Sequence, residues 1–290
     1  MTGPGVQTPP GPAIRLVEVG PRDGLQNESR IVPTEAKVAY INGLSRSGLT
    51  DIEVSSFVSP RWIPQLADAD EVFRRIDRPS GVRYWALVPN ERGLDRAEAA
   101  RVDGIAVFTA ASESFNRRNV NASISESLER FRPVVRRAKV PVRGYISVAF
   151  HCPFEGPIAP EAVARVGEQL LSLGCAELSV GDTLGRASAG DVRQLLEAVL
   201  PVCSADRLAL HLHDTFGQAV GNALAGAEMG ITVFDSSAGG AGGCPYAPGA
   251  PGNVATEALV RAFDGRTGVD LPLLSEAIEV IRPHLTPRSA

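Results

Sequence analysis

Apolar and polar positions along the chain follow two rhythms in alternation. Short runs of β-branched and other apolar residues recur at 14–19 (IRLVEV), 50–54 (TDIEV), 82–88 (VRYWALV), 104–108 (GIAVF), 142–150 (VRGYISVAF), 176–180 (AELSV), 207–213 (RLALHLH) and 231–235 (ITVFD). Between them lie longer stretches with helical spacing of apolar positions, such as TEAKVAYINGLSRSG, ERGLDRAEAARV, SISESLERFRPVVRRAK, APEAVARVGEQLLSLG, SAGDVRQLLEAVL and FGQAVGNALAGAEMG. Thr34 and Ser123, with Glu35 and Glu126 close behind, read as N-caps, and Gly48, Gly174 and Gly230 as C-terminal stops.

Eight strand-like runs alternating with helices imply parallel βαβ units. No linker or low-complexity segment divides the series. Eight such units in about 250 residues predict a (β/α)8 TIM barrel, an α/β fold in a single domain over 14–285. Residues 1–13, rich in Gly and Pro, read as a disordered lead without the charged and apolar regions of a signal peptide. The rival is a doubly wound open sheet, which normally offers a Gly-rich dinucleotide turn after its first strand. Here the first run enters GPRDG instead.

In a barrel the chemistry sits where strands end and βα loops begin. Arg22, Asp23, Gln26 and Asn27 follow the first run, and Glu53, Ser55 and Ser56 belong to the second. Ser179, Asp182 and Thr183 follow the sixth, His211 and His213 close the seventh, and a glycine-rich loop carrying Cys244 and ending at Asn253 follows the eighth. Residues i and i+2 of a strand share a face, so both imidazoles would enter the mouth together. Two imidazoles and a carboxylate such as Asp23 are metal-ligand chemistry. The rival makes one histidine a satisfied core residue and turns the other to solvent.

Asp23 by itself suits an Asp-Gly turn, and Arg22 by itself a surface charge. Beyond a strand end the backbone can fan such neighbours apart, one toward a cation and one toward an anionic oxygen, with Gly24 allowing a tight turn. A carboxylate inside an apolar strand needs a partner. For Glu53 that partner is either a helix arginine or Arg22. Cys244 suits a small core hydrophobe, but AGGAGGCPY is too glycine-rich to pack as core and reads as a mobile lid after strand eight.

Composition narrows the class without naming the chemistry. The chain has 290 residues, 44% hydrophobic and 21% charged, with 29 basic against 33 acidic side chains and a net charge of −4. That balance gives no reason to expect nucleic acid or an anionic membrane as a partner. No apolar run approaches the ~18 residues of a membrane span. Four scattered cysteines without a CxxC pair predict a reduced, cytoplasmic setting. Glycine spacings in GNALAG and GGAGG lack the GxxxxGK[ST] of a phosphate loop.

VEVGPRDGLQNE, IEVSSFVSPRWIPQLAD, SVGDTLG, HLHDTFGQA and GGCPYAPGAPGN together resemble the hydroxymethylglutaryl-CoA lyase family of metal-dependent TIM barrels, from about residue 14 to about residue 265. RDG and HxHD mark the wider superfamily, and the cysteine-bearing segment the lyase branch. The resemblance implies retro-Claisen cleavage of 3-hydroxy-3-methylglutaryl-CoA to acetyl-CoA and acetoacetate, with leucine breakdown as one setting. It implies Asp23, His211, His213 and Asn253 as ligands of a divalent cation, Mg2+ or Mn2+ first and Zn2+ or Co2+ as alternatives.

By the same resemblance Arg22 contacts the thioester oxygen, Glu53 supports the site, His211 shares in the catalysis and Cys244 is the acid/base on the lid. Gln26, Ser56, Asn119, Ser179 and Asp182 match positions around the acyl-CoA ligand. The oligomeric state stays open, a homo-oligomer included. Three departures stand out. HCPFEG replaces the family's GCPYEG and brings in His151, Ala258 follows Glu257 where an acid is usual, and the tail is shorter. None touches a metal-matching position, and the first two leave the acyl group open. The rivals are a lyase for a bulkier 3-hydroxyglutaryl-CoA, a Claisen-type acyltransferase, and a non-catalytic metal-binding barrel.

Overall fold

The computed structural model describes residues 11–244 and 247–286; the side chains of 244 and 247–251 lie outside that description, as does most of the 1–13 lead. Eight parallel strands close a barrel: β1 Arg15–Glu18, β2 Asp51–Ser56, β3 Arg83–Leu87, β4 Gly104–Ala110, β5 Val142–Ser147, β6 Glu177–Asp182, β7 Leu208–Leu212 and β8 Val233–Ser236. Each pairs with its sequence neighbours, and β1 pairs with β8 to close the ring. This is the predicted (β/α)8 barrel, and every predicted strand is present with small shifts at its ends. Among the described residues no helix is long and apolar enough to cross a membrane.

The helices fill the outside of the ring: α1 Thr34–Arg46, α2 Ala69–Arg75, α3 Glu91–Ala99, α4 Glu113–Val120, α5 Ile124–Arg137, α6 Pro160–Leu173, α7 Ala189–Val199, α8 Ala219–Glu228, α9 Thr256–Ala262 and α10 Leu271–Ile281. Short α2, α4 and α9 have too few turns to show a periodic stripe. Ser123 caps α5 in a full capping box with Glu126, as predicted, and Ser188 does the same for α7 with Asp191. Thr34 is different: Pro33 occupies the cap position of α1, and the Thr34 hydroxyl donates to Asp68 Oδ2 at 2.8 Å.

Alternation along the strands separates two interiors. Leu16, Ile52, Val54, Tyr84, Ile105, Val107, Ile146, Leu178, Val180, Leu208, Leu210 and Phe234 join the apolar layer between sheet and helices. That layer carries the hydrophobic stabilisation, and truncating one of its leucines to alanine removes about 2–5 kcal/mol. Helix α8 lies so close to β7 that a Cβ on Gly226 would sit 2.4 Å from Leu210 Cδ1. The close approach pins the strand that carries His211. Inside the barrel the apolar groups form two small clusters, Val17, Val19, Ala209 and Val233 in one, and Leu87, Ala106 and Tyr145 with Phe108 in the other. Much of the remaining interior is charged.

Candidate active site

The turn after β1 answers why GPRDG ends an apolar strand. Backbone N–H groups of Arg22, Asp23 and Gly24 all donate to the Val19 carbonyl, at 3.1, 2.8 and 3.2 Å, winding one π turn over Gly20–Gly24. Arg22 and Asp23 are thereby presented together. They are not fanned apart, as the sequence suggested: Arg22 Nη1 lies 2.5 Å from Asp23 Oδ1. Gly24 is not in a left-handed conformation either. A Cβ there would stand 2.9 Å from Ser237 Oγ and 3.1 Å from Ala241 Cβ, so the glycine serves close packing against the loop after β8.

Asp23 faces the end of β7 across the mouth. Its Oδ2 lies 4.0 Å from His211 Nε2 and accepts a hydrogen bond from Asn253 Nδ2 at 2.9 Å. His213, one residue past β7, bridges to the backbone of Asn253, and the two imidazole rings are 5.3 Å apart. One ligand atom from each of Asp23, His211 and His213 lies within 4.8 Å of the others.

These residues fit a divalent cation. Two metal–ligand bonds of about 2.1 Å span the Asp23–His211 gap. His213 Nδ1 is buried with no hydrogen-bond partner. Burial, reinforced by neighbouring His211, pushes the His213 pKa down to about 4, leaving a neutral imidazole with a lone pair. Burial alone would raise the Asp23 pKa. Arg22 first, then the two histidines and the Asn253 donor, hold it well below the usual carboxylate range. A carboxylate and two imidazoles form a candidate divalent-metal triad, the N/O set such ions accept.

Arg22 is clamped from below. Its Nη2 lies 2.8 Å from Glu53 Oε2, which also accepts the Tyr145 hydroxyl at 2.9 Å. Burial works against the Arg22 charge, but Glu53, Asp23 and Tyr145 raise its pKa overall, so the guanidinium stays cationic. Of the two partners the sequence offered Glu53, the structure supplies Arg22.

A cleft of about 710 Å3 opens over these groups and is lined by Arg22, Asp23, Gln26, Asn119, His211 and His213, with Trp62 and Gly243 on its walls. Gln26 and Asn119 thus lie beside the triad. Ser56, Ser179 and Asp182 are buried and are not among the described residues lining the cleft. Ser56 Oγ accepts from Val58 N, Ser179 donates to Asp235 Oδ2, and Asp182 accepts from the backbone of Arg186 and Ala187. His151 sits half-buried in a small ribbon, His151–Cys152 against Gly156–Pro157, and is likewise absent from the described lining. The backbone of Cys244 pairs with Ala247 in a short ribbon of the glycine-rich loop, beyond the Gly243–Pro251 pair; the Cys244 side chain lies outside the described residues.

The HMGL-like family profile matches residues 13–281. The chain belongs to the HMGL-like family. This HMGL-like chain is similar to the cytoplasmic 3-hydroxy-3-methylglutaryl-CoA lyase of Rattus norvegicus, 52% identical over 274 residues that cover 92% of this chain and 80% of the relative. The HMG-CoA lyase structure from Brucella melitensis superposes with a TM-score of 0.92 at 49% identity, covering 94% of this chain and 99% of the other. An HMG-CoA lyase from Acinetobacter baumannii, in complex with coenzyme A and 3-methylmalate, gives a TM-score of 0.88 at 37% identity, covering 94% and 91%.

Beneath the site of this HMGL-like barrel lie three groups that the sequence reading passed over: Arg143, Tyr145 and Asp235, all buried. A signal for two of them was available. Polar residues at 143, 145 and 147 alternate with Val142, Gly144 and Ile146 in VRGYIS, which sends Arg143 and Tyr145 inward together.

Proposed function

We propose that this chain is a metal-dependent carbon–carbon lyase that cleaves 3-hydroxy-3-methylglutaryl-CoA to acetyl-CoA and acetoacetate. The observation that carries the reading is the Asp23–His211–His213 triad beside a permanently charged arginine in one cleft. The named activity of the rat relative, and the coenzyme A complex of the Acinetobacter one, support the acyl-CoA substrate.

Asp23, His211 and His213, with Asn253 beside them, would hold the cation. When bound, a divalent ion supplies Lewis acidity, which brings even water from a pKa of 15.7 to about 7. The chain's own groups supply the rest. Asp23, an ionised carboxylate in the cleft, takes the proton of the substrate's tertiary hydroxyl. The carbinol C–O becomes the ketone of acetoacetate as the bond to the thioester's α-carbon breaks, and the electron pair passes to the thioester oxygen as an enolate. Arg22, held by Glu53 and Tyr145, stabilises that oxygen in a site shielded from water. Cys244 then protonates the enolate carbon, and the proton held by Asp23 later returns to the Cys244 thiolate. A thiol of ordinary pKa near 8.5 carries its proton at neutral pH. Burial pushes the Cys175 and Cys203 thiols up to about 12 and 11, so neither competes for a redox or nucleophilic role.

A cytoplasmic setting belongs to this reading. The described cysteines are free, and the rat relative's name carries that location. The test is product analysis with purified protein and Mg2+ or Mn2+. Acetyl-CoA and acetoacetate should appear in equal amounts, EDTA should stop the reaction, and Cys244→Ala should cripple turnover while retaining metal. Undiminished carbon–carbon cleavage in metal-free protein, or free coenzyme A without acetoacetate, sinks the reading.

A further inference from the structure

The barrel interior directly below the triad contains a carboxylate, Asp235, that is not among the described residues lining the cleft. Asp235 on β8 is the register partner of His211 on β7, and its Oδ2 lies 3.2 Å from His211 Nδ1. The same oxygen accepts the Ser179 hydroxyl at 2.8 Å. The other oxygen, Oδ1, is ion-paired with Arg143 Nη2 at 2.6 Å. Arg143 in turn pairs through Nε with Glu177 at 2.9 Å, and Glu177 pairs with Arg15. Asp235 and Arg143 are almost wholly buried, so this central pair of the row is sheltered from water, while Glu177 and Arg15 at its far end are partly exposed.

We propose that Asp235 is a positioning residue for the metal site: anchored by Arg143, it fixes His211 in the tautomer protonated on Nδ1 and turns Nε2 toward Asp23. This rests on the metal-dependent reading above. The logic is one of donors and acceptors. An ionised carboxylate only accepts. Facing it, His211 Nδ1 must carry a proton, and a neutral ring then leaves its lone pair on Nε2, the nitrogen 4.0 Å from Asp23 Oδ2. An imidazole with the opposite tautomer would present N–H to the ion and could not ligate it. Such hydrogen-bonded carboxylates behind a ligating histidine fix both its tautomer and its orientation. Arg143 has a second task in the same frame, since its Nη1 donates to the Tyr145 hydroxyl that holds Glu53.

Asn at position 235 supplies the discriminating change. Its amide can present N–H to His211 Nδ1 and thereby favour the wrong tautomer at nearly unchanged volume. Mn2+ titration followed by electron paramagnetic resonance should show Asp235→Asn binding about 10- to 100-fold more weakly than the natural protein. Turnover of the variant should keep rising with Mn2+ over a range where the natural protein is saturated, which a purely structural defect would not produce. Because a buried Arg143 without its partner could unfold the variant, a second measurement uses the natural protein alone. With four histidines in the chain, nitrogen-15 spectra of the Mg2+-loaded protein should show the His211 proton on Nδ1. Folded Asp235→Asn with unchanged Mn2+ affinity, or a His211 proton on Nε2, overturns the inference. Failure of the natural protein to bind Mn2+ at all would instead overturn the metal-dependent reading itself.

Discussion

Glu53 accepts Arg22 and Tyr145 on one carboxylate oxygen, at 2.8 and 2.9 Å, from inside the second strand. Glu53 is 1% exposed and Arg22 6%, so the pair is removed from water and its geometry cannot wander. Glu53→Gln keeps the shape and an acceptor for Tyr145 but removes the charge. Removing one member of a buried pair costs about 3–5 kcal/mol. Asp23 remains on Arg22, which places the expected loss at the lower end. Urea unfolding should show a drop of about 3 kcal/mol. With only Asp23 left to hold its charge, Arg22 would shift from its natural position, and kcat should fall by about 100-fold, the scale of a 1 Å misplacement. A variant with natural kcat would mean that Glu53 does not position the arginine.

Arg22→Met separates charge stabilisation from metal binding. The methionine fills similar volume but leaves the developing enolate oxygen without its cation. Loss of one such donor costs about 100- to 1,000-fold in kcat. Asp23 keeps its bond from Asn253 and its approach to His211, so Mn2+ content of the variant should stay at the natural stoichiometry. Metal analysis beside steady-state kinetics checks both halves. If metal is lost with activity, Arg22 acts through Asp23 and not on the substrate.

The barrel was legible because each strand is a compact apolar run bounded by a helix of regular period, and Asp23, His211 and His213 because their chemistry is rare at strand ends. What stayed hidden is relational. Asp235 ends an unremarkable run, ITVFD, and only the parallel register of β7 and β8 sets it opposite His211. Arg143 and Glu177 read as ordinary strand polar residues until the closed ring pairs them. The π turn at Gly20–Gly24 has no sequence period, so the Arg22–Asp23 contact could not be foreseen from spacing. Position by position, the misses are contacts set by strand register or by an irregular turn.

Glu18 gives the fold a pH dependence of its own. It is fully buried, and burial raises its pKa from the ordinary 4.5 to about 7 although Thr256, Ala238 and Gly20 donate to it. Below pH 4.5 both folded and unfolded chains hold the proton. Between pH 4.5 and 7 the unfolded chain gives it up while the folded chain keeps it, so stability falls as pH rises and levels off above 7. The span is worth up to about 3 kcal/mol. Glu18→Gln should flatten this part of the curve. Its amide can donate to the Thr256 hydroxyl, which accepts as readily as it donates. Denaturant midpoints of both proteins across that pH range decide it, and parallel slopes would rule Glu18 out.

The loop after β8 is pinched at a neck that sits against the triad. A Cβ on Gly252 would stand 2.7 Å from the Gly242 carbonyl oxygen and 3.0 Å from the Gly243 carbonyl carbon, all backbone atoms that cannot rotate away. Gly252 also accepts from Asp214 N at 2.6 Å, and its neighbour Asn253 donates to both Asp23 Oδ2 and the Ala241 carbonyl. Gly252→Ala must therefore part the two strands of the neck and draw Asn253 off Asp23. Overpacking of this kind costs about 1–3 kcal/mol in stability. Loss of a hydrogen-bonding partner from a metal-binding carboxylate should weaken Mn2+ binding by at least about tenfold. Gly243→Ala is the matched control, because a Cβ there meets nothing within 4 Å and leaves Asn253 in place. Equal Mn2+ affinity in the two variants would show that the neck does not hold the site together. A loss confined to Gly252→Ala ties the glycines of the loop to the aspartate on the far side of the mouth.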